Sequence, residues 1–256
     1  MLRRASWRRP IGLLAFAARL TQAARMGFPA EKRRRATLAD LETVPPNRNG
    51  ELINGTLYIF SRPAPPHAHA ASVLGMEIGG PFQRGRGGPG GWRILDEPEL
   101  LLGPPDDEDD IIPDLAGWRI ERMPVLPPTA KFTLVPDWVC EVLSPGTISI
   151  DRGEKMPAYA RHGIRHVWLL DPLARTLEVF MLEAGRWVLL NVHHGDARVR
   201  AEPFEAIELE LAALWGEVEL RPEGGETREP TVKAGRKTSA AAKKTPRKSR
   251  PRGGTK

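Results

Sequence analysis

Two strand-like segments of the chain carry acidic side chains among apolar ones. Residues 111–119 read IIPDLAGWR and contain Asp114, and residues 135–145 read VPDWVCEVLSP and contain Asp137 and Glu141. A buried carboxylate costs several kcal/mol unless it is paired or bound to a metal. Because folding alone does not require acids at these positions, Asp114 and Glu141 are the first candidates for chemistry.

The two segments predict a hairpin whose register brings both acids together. The residue numbers of facing residues in an antiparallel pair have a constant sum, which is about 255 if the loop centres near residues 127–128, so Asp114 faces Glu141. Facing residues have Cβ atoms about 4.5–5.5 Å apart, and two such carboxylates can hold one hard divalent cation. Asp137 shares a strand face with Glu141 but lies about 13 Å along the strand. It is a second-rank candidate or simply the first residue of the strand.

A lysine near the following helix can complete this site. We predict a helix over about 153–162 that ends at Gly163. Lys155 opens this helix, and its ammonium can fold back over the carboxylates to orient or deprotonate a water or to neutralise an oxyanion; the alternative is a solvated side chain. Asp151 lies four residues before Lys155 and Tyr159 lies four residues after it. In the simplest interpretation, Asp151 is the N-cap of the helix and Tyr159 is a core residue.

The elements around these residues predict a mixed α/β domain. Thr37 begins a short helix with Asp40 at the capping-box position, and Asn54-Gly55 marks a tight turn between two strands. A second helix is predicted over residues 67–79. Further strands are predicted over about 92–102, 111–120, 134–143 and 167–171, and a second hairpin turns at residues 183–185.

Three other features receive simpler interpretations. Residues 84–91 are rich in glycine, but Pro89 removes a backbone donor and a strand follows, so a flexible connector is predicted instead of a phosphate-binding loop. The acidic run 106–110 is interpreted as a solvated turn, with metal capture as the alternative. His67 and His69 suit capping or exposure better than joint metal ligation.

The basic net charge of +6 comes from the two ends of the chain. Residues 1–25 hold six arginines and no acid, and residues 233–256 hold ten lysines or arginines and no acid. This leaves 22 of the 38 basic residues and all 32 acidic residues in 26–232, a net charge of −10. The charge of this middle part does not indicate nucleic-acid binding.

The composition predicts three parts. Residues 1–25 are interpreted as a dispensable extension before a start at Met26, or as a transit peptide, and 26–220 as the folded domain. Residues 221–256 lack large apolar side chains, which predicts disorder. This tail is either a solubilising segment or an arm that contacts nucleic acid in a salt-dependent way, through Lys243, Lys244, Arg247, Lys248, Arg250 and Arg252.

Several classes of protein are excluded or disfavoured. No run of 18 apolar residues exists, so a membrane span is not predicted. The single cysteine, Cys140, cannot form an internal disulfide, which favours a reducing cytoplasm, and it alternates away from Glu141 as a core residue. The chain contains no zinc-finger spacing, phosphate-loop motif, dinucleotide-binding motif or serine nucleophile motif.

The order and spacing of these segments resemble the Uma-type restriction endonucleases, a bacterial group within the PD-(D/E)-x-K nuclease superfamily. The resemblance spans most of residues 36–220. The segments that carry it read ATLADLE, ELINGTLY, PHAHAASVLG, ILDEPEL, IIPDLAGWR, PDWVCEVLSP, DRGEKMPAYARHG and HVWLLDP.

This resemblance implies a restriction-endonuclease-like α/β (α+β) fold, with a mixed sheet flanked by helices. It also implies an endodeoxyribonuclease that uses Mg²⁺, or Mn²⁺, with Asp114, Glu141 and Lys155 as active residues and Asp137 and Glu97 nearby. DNA is the implied partner, and such enzymes often form homodimers.

The lysine departs from the superfamily pattern. In an E-x-K on one strand the lysine would stand at Leu143, so here Lys155 must reach the same point from the next helix. Two alternatives stay open: an inactive nucleic-acid-associated protein that retains the fold, and a protein whose basic tail is functional while its core is a dimerisation platform.

Overall fold

The computed structural model describes residues 34–216 of the chain. In order, its elements are α1 Leu38–Leu41, β1 Asn49–Ile53, β2 Thr56–Phe60, α2 Pro65–Ile78, β3 Trp92–Asp96, β4 Leu100–Leu102, β5 Asp109–Ile111, β6 Leu115–Arg119, β7 Trp138–Val142, α3 Ile148–Ile150, α4 Met156–His162, β8 His166–Asp171, β9 Thr176–Glu183, β10 Arg186–His194, β11 Arg198–Val199, β12 Leu209–Glu210 and α5 Ala212–Trp215. Two π-helical turns, Gly79–Gln83 and Asp151–Lys155, extend α2 and join α3 to α4.

The strands form two larger sheets and one small one. The six-stranded sheet has the order β10-β9-β8-β7-β6-β3, and the four-stranded sheet has the order β2-β1-β5-β4. Neighbouring strands are antiparallel except for β7 and β8, which are parallel. The α4 helix lies in the connection between these two parallel strands, as such a connection requires a crossover.

Apolar side chains cover both faces of the six-stranded sheet. Successive strand residues point to opposite faces, so Trp138 and Cys140 enter one cluster, with α2, while Val139 enters the other, with α4. Cys140 is buried, in agreement with its interpretation as a core residue. The sheet is thus the middle layer of the domain, with helices on either side.

The sequence-based elements are largely confirmed. Thr37 and Asp40 form the predicted capping box, Asn54-Gly55 turns between β1 and β2, and Gly163 ends α4 with φ +78°. The predicted register is also confirmed, since Leu115 faces Cys140 and the residue numbers sum to 255.

Two predicted strands were wrong in their bounds. The strand over 92–102 divides into β3 and β4 at Glu97, whose φ is +45°, and at Pro98. The strand over 111–120 divides at Pro113. Proline has no N–H for a ladder bond and ends pairing at such points, so β4 and β5 turn away into the four-stranded sheet.

Two further predictions need correction. The helix predicted over 153–162 starts earlier, at Ile148, and α2 continues as a π-helical turn beyond Gly79. The run 106–110 is only partly a solvated turn, because Asp109 and Asp110 belong to β5 and are buried.

The terminal predictions lie outside the described residues. They concern the extension 1–25 and the basic tail 221–256 with its predicted DNA contacts. Among residues 34–216, no helix has the length and apolar character that a membrane crossing requires.

Candidate active site

Asp114 lies at the junction between the two sheets, directly after Pro113 and directly before β6. The register of β6 and β7 places it level with Glu141. Its Oδ2 accepts a hydrogen bond of 2.6 Å from the backbone N–H of Val142, and its Oδ1 lies 3.2 Å from His67 Nε2. The carboxylate is therefore held in place by β7 on one side and by the first turn of α2 on the other.

Glu141 is a strand residue whose side chain enters the apolar face under α4. It is 2% exposed. Tyr159 donates its hydroxyl hydrogen bond to Oε1, and Lys155 Nζ lies 3.3 Å from Oε2. Tyr159, interpreted from sequence as a core residue, is thus also a polar partner of the candidate site.

Lys155 gathers the acids of the site around one ammonium group. Besides Glu141, its Nζ lies 3.1 Å from Glu51 Oε1 and 3.9 Å from Asp151 Oδ1, and it donates a 3.3 Å hydrogen bond to the carbonyl of Ile112. Lys155 ends the π-helical turn instead of opening the helix. Its ammonium contacts Glu141, which is one of the two arrangements that the sequence left open. Such turns inside helices are frequent at functional sites.

We call the group Glu51, Asp114, Glu141, Asp151 and Lys155 the active-site cluster. Its members come from β1, from the segment before β6, from β7 and from the turn Asp151–Lys155. A cavity of about 330 Å³ opens onto all five residues. Glu97 also lines this cavity, so this acid lies near the site as the resemblance implied.

Asp137 is not brought into the cluster. Its carboxylate accepts a 2.9 Å hydrogen bond from the backbone N–H of Arg119 and lies 2.7 Å from Arg122 Nη1. These contacts tie the start of β7 to the end of β6, and they supply a structural reason for an acid at this position.

Sequence reasoning missed two residues of the cavity. Glu51 was only part of a predicted hairpin, and His67 was assigned to capping or exposure, yet the side chain of His67 is 14% exposed and pairs with Asp114. An acid in the apolar run of β1 was the available signal for Glu51, and it is the same signal that singled out Glu141.

The electrostatics of the cluster follow from an excess of acids. Burial raises the pKa of Glu141 well above its usual range, since Lys155 only partly opposes the effect and neighbouring acids add to it. Burial also raises the pKa values of Glu51 and Asp151. For Lys155, burial alone lowers the pKa, but the surrounding carboxylates outweigh it and raise the pKa above its ordinary value. The ammonium therefore stays protonated, and the cluster favours the uptake of further positive charge.

The donor set suits a hard divalent cation. Within residues 34–216, no three His, Cys, Asp or Glu side chains are arranged as a ready-made set of metal ligands. Mg²⁺, however, usually takes one or two protein carboxylates and keeps several waters. Asp114 and Glu141 supply two such oxygen donors on the wall of the cavity.

Comparisons with known proteins identify the family and the fold of the chain. A family model described as "Uma2: Putative restriction endonuclease" matches residues 36–213. The crystal structure of a "putative nuclease belonging to DUF820" from Anabaena variabilis superposes with a TM-score of 0.56 at 22% identity, covering 70% of this chain and 97% of that one. At this identity the likeness shows a shared fold alone. No curated protein matches. The family match covers well over half of the chain, which therefore belongs to the Uma2 family.

Proposed function

We propose that this protein is a Mg²⁺-dependent endonuclease that hydrolyses DNA phosphodiester bonds, with Asp114, Glu141 and Lys155 as its catalytic residues. One observation carries the proposal: two carboxylates, one in β7 and one directly before its neighbour β6, and a buried ammonium 3.3 Å from one of them all line one cavity. Membership of a family described as restriction endonucleases supports the same reaction class.

Asp114 and Glu141 are the proposed metal ligands. Mg²⁺, or Mn²⁺, would polarise the scissile phosphate and lower the pKa of a bound water when it is present. The contacts that Asp114 makes with Val142 and His67 hold its carboxylate in one orientation. Pre-oriented ligands of this kind need no rearrangement during the reaction.

Lys155 is proposed to act as a cation and not as a base. Its raised pKa keeps the ammonium protonated at neutral pH, so it orients a water or stabilises the extra negative charge on the phosphate in the transition state. This narrows the sequence-based hypothesis, which also allowed Lys155 to deprotonate a water.

The proposed DNA partner must approach an acidic domain. Residues 26–232 carry a net charge of −10, so the cations of the tail are proposed to supply the attraction to phosphate. Deleting residues 226–256 should weaken DNA binding and flatten its salt dependence while leaving slow cleavage. Complete loss of cleavage in the deletion variant would argue for a tail that does more than bind.

Plasmid nicking tests the proposal directly. Purified full-length protein should nick supercoiled DNA with Mg²⁺ or Mn²⁺ and not with EDTA, and Glu141→Gln should reduce the rate at least ~10²-fold. Asp137→Asn is the matched control, because it changes another acid of the same β7 region and should retain nicking. Nicking that persists in EDTA, or in Glu141→Gln, would contradict the assignment.

An inactive, nucleic-acid-associated protein is the second candidate. That alternative predicts a Lys155 side chain that points to solvent, whereas Lys155 is 4% exposed and lies among carboxylates. Binding of DNA without metal-dependent nicking would favour it.

A further inference from the structure

Glu51 reaches the cavity from a different sheet than the proposed metal ligands. It lies in β1 of the four-stranded sheet and faces Tyr58 of β2. Its Oε1 is 3.1 Å from Lys155 Nζ, which is closer than the oxygens of Glu141 at 3.3 Å and Asp151 at 3.9 Å. Of these three carboxylates, Glu51 is therefore the nearest to the ammonium.

The location of Glu51 is costly for folding. The residue is 5% exposed, and Glu51 Oε2 has no hydrogen-bond partner among the described residues. Removing one partner of a buried ion pair is strongly destabilising when the other charge is left unpaired, but without Glu51 the Lys155 ammonium keeps Glu141 and Asp151 as partners. A role in stability therefore does not account for a charged residue here, and its contact with Lys155 does.

The position of Lys155 depends on such a contact. A lysine side chain has four rotatable carbons and no fixed geometry, and Lys155 approaches Glu141 from a turn in a separate element. Glu51 contacts the ammonium from β1, and Glu141 contacts it from β7. The backbone carbonyl of Ile112 accepts a hydrogen bond from the same ammonium.

We infer that Glu51 is a positioning residue that holds the Lys155 ammonium at the place where the reaction requires it. The inference rests on the proposed nuclease function and adds to it a residue outside the Asp/Glu/Lys set. Glu51 acts through Lys155 and is not a metal ligand in this assignment, which separates it from Asp114 and Glu141.

The test compares Glu51→Gln with Asp110→Asn. Asp110 is the matched control, because it is also a fully buried acid paired with a lysine, Lys131, and belongs to the strand that neighbours β1 in the same sheet. Glu51→Gln should lower kcat for nicking ~10–100-fold, as is typical for residues that orient an active group. The KM for DNA, the Mg²⁺ concentration for half-maximal rate and the melting temperature should not fall.

Asp110→Asn should leave kcat for nicking unchanged, because Asp110 pairs with Lys131 and not with Lys155. Glu51→Asp, which retains the charge on a shorter side chain, should restore part of the rate. A kcat within two-fold of wild type in Glu51→Gln would overturn the inference, and a changed Mg²⁺ requirement would make Glu51 a metal ligand instead.

A second readout does not need activity. The rate at which an amine-reactive reagent labels Lys155, followed by mass spectrometry of the folded protein, should rise in Glu51→Gln and stay unchanged in Asp110→Asn. Equal labelling in Glu51→Gln and wild type overturns the inference even if the protein never cleaves DNA. A wild type that labels as expected but does not nick overturns only the proposed function.

Discussion

Two buried groups of charged residues lie in this domain, and they are built differently. The active-site cluster places four carboxylates around Lys155, which is 4% exposed. The second group, which we call the β5 cluster, pairs Asp109 with Arg161 and His162, and Asp110 with Lys131. Here Asp109 has two cationic partners, while Asp110 shares Lys131 with Glu99. The cations reach solvent, since the side chains of Arg161 and Lys131 are 47% and 33% exposed.

The difference separates a structural arrangement from a reactive one. For Asp109, burial raises the pKa, but hydrogen bonds from His162, Asn54 and Arg161 outweigh it and lower the pKa below its ordinary value. In the active-site cluster the acids outnumber the cation, and the pKa values of Glu51, Glu141 and Asp151 are raised. Burial also raises the pKa of Asp110 in spite of Lys131, but Asp109 and Asp110 do not line the cavity onto which the active-site cluster opens. Perturbed acids in a cavity indicate a functional site.

The largest expected effect comes from removing the central cation of each cluster. Lys155→Met should abolish measurable nicking, a loss of at least ~10²-fold, because it removes the side-chain cation of the active-site cluster that is proposed to stabilise the transition state. It should also lower the free energy of unfolding by ~3 kcal/mol, because it leaves buried carboxylates unpaired. Lys131→Met should cause a similar loss of stability through Asp110 but retain nicking. Urea unfolding measures the stability of both variants, and plasmid nicking measures their activity. Loss of nicking in a folded Lys131→Met variant would show that the β5 cluster, too, is needed for activity.

Asp109→Ala should give the next largest effect, confined to stability. The change removes the acceptor of Arg161, His162 and the backbone N–H of Asn54. The expected loss is ~2 kcal/mol of unfolding free energy, moderated because Arg161 can turn to water. The specific activity of the folded protein should stay within about two-fold of wild type. A large loss of kcat would place the β5 cluster in the catalytic machinery.

The register of β6 and β7 was predictable because it depends on local constraints. The two proline residues of the loop, at positions 127–128, and the acids on either side sufficed to place Asp114 opposite Glu141. The sequence also allowed Lys155 to reach the carboxylates, with a solvated side chain as the alternative, although the helix begins at Ile148. In each case the relevant residues lie close together in the chain, and strand periodicity or helix spacing carries the information.

Contacts between distant segments were not predictable in the same way. Glu51 contacts Lys155 from β1 of the four-stranded sheet. This sheet also contains β5, which is separated from β6 at Pro113. Asp109 and Asp110 read as a solvated turn because the sequence does not reveal that Arg161 and Lys131 pack against them. Residue type indicates that a buried acid needs a partner, but only the tertiary fold identifies that partner.

Acidification should affect Glu51 of the active-site cluster and Asp109 of the β5 cluster with opposite signs. With EDTA present, Glu51 has a folded pKa above its ordinary 4.5, so the folded state binds more protons than the unfolded state in the window above 4.5 and gains stability as the pH falls through it. Asp109 has a folded pKa below its ordinary 3.8, so its contribution is present above 3.8 and is lost as the pH falls towards the folded value.

Urea unfolding between pH 8 and 3 measures both effects. Relative to Glu51→Gln, wild type should gain stability between pH 8 and 4.5. Relative to Asp109→Asn, wild type should lose stability below pH 3.8. Changes of the same sign in both comparisons would show that the two clusters do not differ in the way their charge balance implies.

The smallest effect is expected at a charged group outside both clusters. Arg198 lies 3.4 Å from Glu208 and 3.5 Å from Glu210, with all three side chains about half exposed or more. Exposed ion pairs contribute little to stability in water and are screened by salt. Arg198→Gln should therefore change the unfolding free energy by less than ~0.5 kcal/mol, and this change should disappear in 1 M NaCl. Urea unfolding at low and high salt measures it. If Arg198→Gln lowered the unfolding free energy as much as Asp109→Ala does, the exposure of an ion pair would not predict its contribution to stability in this protein.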